Sequence, residues 1–403
     1  MGRRWVYLAL GCWSVVWFAI LAHRGGIDWK FFTTGTSLLF GGHPTVISGI
    51  TGGPGTAGPA GLPGPRPPGG LHIFANYPAL QMGPLAYPVT GVLRQLGPHN
   101  GVVAAELFLQ ACGLLIVYLV QRAAVTAKPA LDEDARFDWT LLAGGAVFLT
   151  AWSELSAGFA HLDDGLALLF AALAVNAAVA RPASHPVLAG LCAGLAADAK
   201  PWGLVFLPVI LIPWNRRDIA IAAAAALAVL AVAWLPFFVA DPQSLNAGKF
   251  LIRNENNSAL RALGVRQDYP DWERLPQVLL GWMAGVVAVW RRRWPAVLLL
   301  AGGARLLLDP AAHSYYTPDV MTGALLWDLL GARRPVPLWT ITSFAALNVA
   351  PLIVRDQAAQ GAIRLALIAA FTVATLLLPA WEVTRAQPPT GSPPRQTRLG
   401  AKP

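Results

Sequence analysis

What most constrains this chain is a series of apolar runs that recurs along almost its whole length, most of them ending in Arg or Lys. A bilayer core about 30 Å thick asks for about 20 apolar residues per crossing helix, and fewer where helices are short or broken. The pattern therefore predicts an all-α polytopic membrane protein. Composition agrees: 55% of the 403 residues are hydrophobic and only 13% are charged, against roughly 25% charged in an average soluble domain. A soluble chain of this size would lack the polar surface to cover itself. The net charge of +9 does not point to nucleic acid, because short cytoplasmic loops of membrane proteins are loaded with Arg and Lys. The first partner implied is the lipid bilayer.

Asking which connectors are basic orders the runs. An assignment in which every short cytoplasmic connector carries Arg or Lys gives about twelve spans, with both termini cytoplasmic and the chain in the plasma membrane. They are Trp5–Leu21, Gly101–Val120, Trp139–Phe159, Leu166–Ala180, Pro186–Ala197, Trp202–Pro213, Ile219–Ala240, Gln277–Trp290, Pro295–Leu308, Val320–Leu330, Pro337–Val354 and Ala362–Trp381. Residues 1–381 then form one transmembrane domain, and 382–403 a disordered, basic, Pro-rich cytoplasmic tail. Between the first two spans lies a long outer loop, 23–99. Its stretch "YPALQMGPLAYPVTGVLRQLG" carries three prolines, which argue against an uninterrupted helix, so an interfacial or re-entrant helix is expected there. The same loop holds a Gly/Pro-rich insert, 52–69, that opens with the Gly-X-Y triplets "GGPGTAGPAGLPGPR". Collagen needs long runs in three aligned chains, so the insert reads as a flexible, extended segment. Cys12, Cys112 and Cys192 all fall inside apolar runs and read as small buried side chains, with no CxxC spacing for a metal.

Sorting polar residues by side gathers the chemistry on the outer face. Asp28, Lys30, His43, Asn76, Tyr77, His161, Asp163, Asp164, Lys200, Arg253, Asn254, Asp309, His313, Tyr315 and Tyr316 all fall there, and Glu154 and Arg305 lie near the outer ends of their helices. Ionisable groups beside apolar segments are costly and usually face a cavity or mark a pathway. Each also has a plainer reading. Asp28 could be a helix-end carboxylate solvated at the interface, Lys200 a snorkelling lysine, and "SYY" part of the aromatic belt. "HLDD" has the composition of a metal pair, but adjacent helical carboxylates diverge by about 100°, so no metal is expected, and an N-cap role for one of them is open. Walker-type phosphate loops, GxGxxG after a strand and zinc-ligand spacings are absent from the sequence. ATP-driven transport and cytoplasmic nucleotide-sugar chemistry have no visible home, and no cofactor is expected.

An acid just after the first span, then an aromatic stretch with "SLLFGGHP", then "YPALQMGPLAYP", resembles the first outer loop of GT-C membrane glycosyltransferases. Within that class the chain is most similar to the actinobacterial polyprenyl-phosphate-mannose-dependent mannosyltransferases, glycosyltransferase family 87. "GLCAGLAADAKPWGLVFLP" looks like their Gly-rich helix ending in a Lys-Pro turn. The resemblance implies a GT-C fold and transfer of a sugar, mannose in that family, from a polyprenyl-phosphate donor to a glycolipid or glycan acceptor at the outer face. It makes Asp28 the general base. Lys200, Arg305, His313, Tyr315, Tyr316, His161, Asp163 and Asp164 become candidates for holding substrate and leaving phosphate, and Trp29, Phe31, Phe32 and Tyr77 walls for sugar or lipid. The rival class is a transporter or flippase of lipid-linked sugars using the same outer cavity, and a third reading is a catalytically silent scaffold.

Overall fold

The computed structural model describes residues 3–41, 68–180, 185–213, 215–249, 251–332 and 336–378. His43, most of the Gly/Pro-rich insert and the 382–403 tail lie outside the described residues. Among those residues every regular element is a helix, as the apolar pattern predicts. The principal rods are α1 Arg4–Leu21, α2 Trp29–Phe40, α3 Ala86–Arg94, α4 Pro98–Ala127, α5 Ala135–Ser153, α6 Leu162–Val179, α7 Pro186–Ala199, α8 Arg216–Ala240, α9 Arg274–Trp290, α10 Val297–Leu308, α11 Thr317–Leu326, α12 Leu338–Phe344 and α13 Gln357–Leu376.

Among the described residues each of the twelve apolar runs coincides with a helix, and helix length sorts ten of them into two groups. Five helices are long and apolar enough to cross a membrane: Arg4–Arg24, Pro98–Ala127, Leu162–Val179, Arg216–Ala240 and Gln357–Leu376. Pro186–Ala199, Pro201–Leu211, Arg274–Trp290, Trp294–Leu308 and Leu338–Ile353 are apolar but shorter. Several rods change pitch part-way. Lys200 is extended (φ −151°, ψ 131°), and the chain continues from it as a 3₁₀ helix, Pro201–Leu211. A 3₁₀ helix rises about 2.0 Å per residue against about 1.5 Å for an α-helix, so this short run reaches further than its residue count implies. Helices α5 and α11 end in single π turns, Glu154–Gly158 and Trp327–Gly331.

Small residues set the closest approaches, as they do where helices pack without a hydrophobic driving force between them. Gly190 and Gly194, one turn apart on α7, lie so near α8 that a Cβ at Gly190 would stand 2.1 Å from the Ala222 carbonyl oxygen. A Cβ at Gly302 on α10 would stand 3.0 Å from the backbone of Asp319 on α11, and one at Gly323 on α11 would stand 2.0 Å from the Leu299 nitrogen. That contact brings Arg305, one turn beyond Gly302, onto Asp319. Cys112 and Cys192 are buried, but Cys12 is exposed on the outer surface of α1, contrary to the sequence reading. An apolar helix offers a sulfhydryl to lipid as readily as to its neighbours.

The connectors segregate to two ends of the bundle. At one end Ile27 and Asp28 donate their N–H groups to Gly158 and Phe159, Gly83 donates to Ala199, and Glu255 donates to Pro310. At the other, Arg3 pairs with Asp132 and Asp138, and Arg293 donates to the Thr375 carbonyl. The first end carries the candidate site. The second carries Arg3 and Arg293, two of the Arg residues on which the cytoplasmic assignment rests.

Candidate active site

Asp28 occupies the N-cap position of α2, yet its side chain caps nothing. An N-cap Asp ordinarily accepts from the N2 or N3 backbone N–H. Here its Oδ2 instead accepts from His161 Nδ1 at 2.8 Å, across 133 residues of sequence. Two backbone bonds hold it there, from Ile27 and Asp28 to the Gly158 and Phe159 carbonyls, 3.4 and 2.9 Å. These carbonyls are available because the π turn loosens the end of α5.

His161 is the hub. It is the N-cap residue of α6, and its Nε2 lies 3.3 Å from an oxygen of Asp163 and 3.3 Å from an oxygen of Asp164. Lys200 Nζ lies 3.0 and 3.1 Å from the same two carboxylates and 2.9 Å from Nε2. Cations and carboxylates therefore alternate around a four-membered ring. Burial and the Lys200 charge pull the imidazole pKa down, and Asp163 and Asp164 more than restore it, to about 9. Burial likewise pulls the Lys200 ammonium down, and the same two carboxylates outweigh it and hold it above the usual lysine value. The acids are what allow two cations to stand so close.

The adjacent pair was expected to diverge. Both carboxylates nevertheless reach one cation, because they sit in the first turn of α6 and Lys200 enters between them from the α7 break. Asp163 Oδ1 also accepts from the Asp164 backbone N–H at 2.8 Å, and with His161 at the N-cap position and no side chain capping the helix, neither acid takes the N-cap role left open by the sequence. His161, Asp163 and Asp164 each offer one ligand atom, all within 4.8 Å of one another, and could hold a metal ion. Lys200 Nζ stands between the two carboxylates, where such an ion would sit.

Arg305 forms the back of the site. It is 2% exposed, ion-paired to Asp319 on α11, 3.6 Å from Asp164 and 3.8 Å from Asp309. Its guanidinium lies between the rings of Trp202 at 3.8 Å and Tyr316 at 4.1 Å, while Trp202 Nε1 donates to Asp164 Oδ1 at 2.7 Å. A group held by three acids and two aromatic faces fixes the carboxylates in front of it. Tyr315 lies over the His161 ring, tilted by 31° with centroids 4.1 Å apart, His313 stacks on Tyr315 at the exposed rim, and Phe32 meets His161 edge to face.

The structure thus brings together Asp28, Phe32, His161, Asp163, Asp164, Lys200, Arg305, His313, Tyr315 and Tyr316. Beside this cluster, Trp29 lies 3.6 Å from where a Cβ on Gly101 would stand, the Lys30 ammonium lies over the Phe31 ring at 5.4 Å, and the Tyr77 carbonyl accepts from Leu80 N–H. Glu154 pairs with Arg24 at 2.5 Å near the rim. Asn254 holds its own loop through Val265, Gln267 and Ser258. Sequence reading missed Trp202 and Asp319. Both stand within three residues of positions already singled out, Trp202 two after Lys200 and Asp319 three after Tyr316, and that proximity was the available signal.

No family model matches this chain, and no curated protein matches it. Among solved structures it is similar to ArnT from Cupriavidus metallidurans, in a crystal structure bound to undecaprenyl phosphate. The two are 16% identical, with a TM-score of 0.44, over 93% of this chain and 77% of that one.

Proposed function

We propose that this chain is an integral membrane glycosyltransferase that moves a sugar, mannose by the sequence resemblance, from a polyprenyl-phosphate donor to a glycolipid or glycan acceptor. The observation that carries the reading is Asp28: a carboxylate at a helix cap that leaves its cap unmade and turns to a buried histidine. In this reading the twelve apolar helices all cross or re-enter the plasma membrane, with both termini cytoplasmic and the site outside.

The chemistry balances with the residues present. An acceptor O–H gives its proton to the Asp28 carboxylate as its oxygen bonds to the anomeric carbon. The bond from that carbon to the phosphate oxygen breaks, and polyprenyl phosphate leaves with the electron pair. His161 holds Asp28 in place through Nδ1–H. Positioned general-base help is worth roughly 10²–10⁴-fold. The departing phosphate needs cationic or hydrogen-bonding partners preorganised in a partly dry site. Lys200, 12% exposed at its side chain, is the cation it can reach; Arg305, at 2%, acts through Asp164. Tyr315, Tyr316 and His313 form the aromatic wall beside it.

The test is an assay of membranes containing the protein, with polyprenyl-phosphate-linked and nucleotide-linked sugars offered side by side. Transfer from the lipid-linked donor alone is expected. Transfer only from the nucleotide sugar, or movement of the lipid-linked sugar across the bilayer without transfer, would refute the proposal.

A further inference from the structure

Lys200 is set by a part of the chain far from it in sequence. Its backbone is extended between α7 and the 3₁₀ helix, so neither helix by itself dictates where Nζ points. The two residues before it are clipped from outside. Gly83 N–H donates to the Ala199 carbonyl at 2.9 Å, and Leu85 N–H donates to the Asp198 carboxylate. The approach is so close that a Cβ on Gly83 would lie 1.7 Å from the Asp198 carbonyl oxygen and 3.0 Å from the Ala199 carbonyl carbon. No L side chain fits there without moving one backbone or the other. Asp198 is 5% exposed, with its second oxygen unpartnered. Gln81 accepts from Arg274 at 3.3 Å, which ties the same segment to the start of α9.

We infer that the outer-loop segment Tyr77–Leu85 is a strut for Lys200, with Gly83 and Asp198 as positioning residues of the candidate site. The inference rests on the glycosyl-transfer reading only for what Lys200 does, not for how it is placed. The segment has the stiffness for this, since Pro78 and Pro84 bracket it with fixed φ. Gly83 is then required by the close approach, and Asp198 by the acceptor it offers to Leu85. Displacing a positioned group by about 1 Å can cost about 10²-fold in rate, so the strut governs turnover without touching substrate.

The test has a structural arm and a kinetic arm. In a background without native cysteines, Lys200→Cys is labelled with an aqueous thiol reagent, alone and together with Gly83→Ala, Asp198→Ala or Asp198→Asn. A several-fold change in labelling rate is expected with Gly83→Ala and Asp198→Ala. None is expected with Asp198→Asn, whose amide oxygen still accepts from Leu85. In the kinetic arm, Gly83→Ala should raise the KM for a polyprenyl-phosphate donor or lower kcat by about tenfold or more. In the presence of Lys200→Gln it should have no further effect, because residues acting through one another are non-additive. Unchanged labelling in Gly83→Ala, an Asp198→Asn as defective as Asp198→Ala, or additive losses would each overturn the strut. If no variant, Lys200→Gln included, alters donor use, the transfer reading fails while the labelling arm still judges the strut.

Discussion

Replacing Lys200 with Gln removes the ammonium that stands 3.0 Å from Asp163 and 3.1 Å from Asp164, carboxylates whose side chains are 2% and 0% exposed. At an effective dielectric of about 20, unit charges about 3 Å apart interact by about 5–6 kcal/mol. The loss is smaller than two such contacts, because burying the ions costs free energy that the mutation returns. Removing one partner of a buried pair typically leaves a net cost of about 3–5 kcal/mol. Repulsion between the carboxylates is then offset by His161, which lies 3.3 Å from each, and by Arg305 on the Asp164 side alone. At roughly 2 °C per kcal/mol for a chain this large, the apparent unfolding midpoint should fall by roughly 5–10 °C. The assay is tryptophan fluorescence in detergent at one scan rate, checked by retention of the monodisperse peak after heating. Adding Asp163→Asn should recover most of that loss, because it deletes the uncompensated charge, while turnover stays low in both variants. A Lys200→Gln midpoint within about 1 °C of the parent, or a deficit that Asp163→Asn does not repair, would show that the ammonium does not hold the acidic pair.

Four further outcomes are expected. Asp28→Asn keeps the shape and loses the proton acceptor, so turnover should fall by about 10²-fold or more with donor binding intact; near-normal turnover would move the base elsewhere. Mn²⁺ should raise the midpoint of Lys200→Gln, where His161, Asp163 and Asp164 present three donors within 4.8 Å, and leave the parent's midpoint and its chelator-resistant turnover unchanged; activity lost to a chelator would put an ion in place of Lys200. A cysteine at the exposed Gln267 should react with an impermeant reagent in intact cells and one at the exposed Arg292 should not, the reverse pattern inverting the topology. Deleting 52–69 should change midpoint and turnover little, because loop-closure entropy shifts by only about 0.6 kcal/mol per doubling of length; loss of folding would give the insert a structural role.

The helices were legible because apolar runs report the solvent they face, and each of the twelve runs did become helical. Their lengths were less so. Pro201 marks a break, but periodicity does not say that the chain continues as a 3₁₀ helix, and the π turns at Glu154–Gly158 and Trp327–Gly331 leave no compositional mark. The residues of the site were legible by type and by their gathering at one place, since ionisable groups collect where water or a ligand can meet them. Their partners were not. The bond from His161 to Asp28 spans 133 residues, and nothing local in "RGGIDWKFF" names a histidine.

The pair Asp163 and Asp164 shows why spacing alone misjudges such a site. The 100° between adjacent helical residues describes where two Cβ atoms leave a cylinder. It does not say what a cation arriving along the helix axis can reach. Both acids lie in the first turn of α6, where side chains can bend toward the open end, and Lys200 comes in from a different helix at that end. Two carboxylates that cannot share an ion seated on the flank of their helix can share one above its N-terminus. The deciding coordinate is where the cation stands, and under the strut proposal the Gly83 contact with the α7 break sets it. An adjacent acid pair at a helix start, with a lysine at a proline break elsewhere in the chain, is therefore a pattern to test for a shared cation even where the angular rule argues against one.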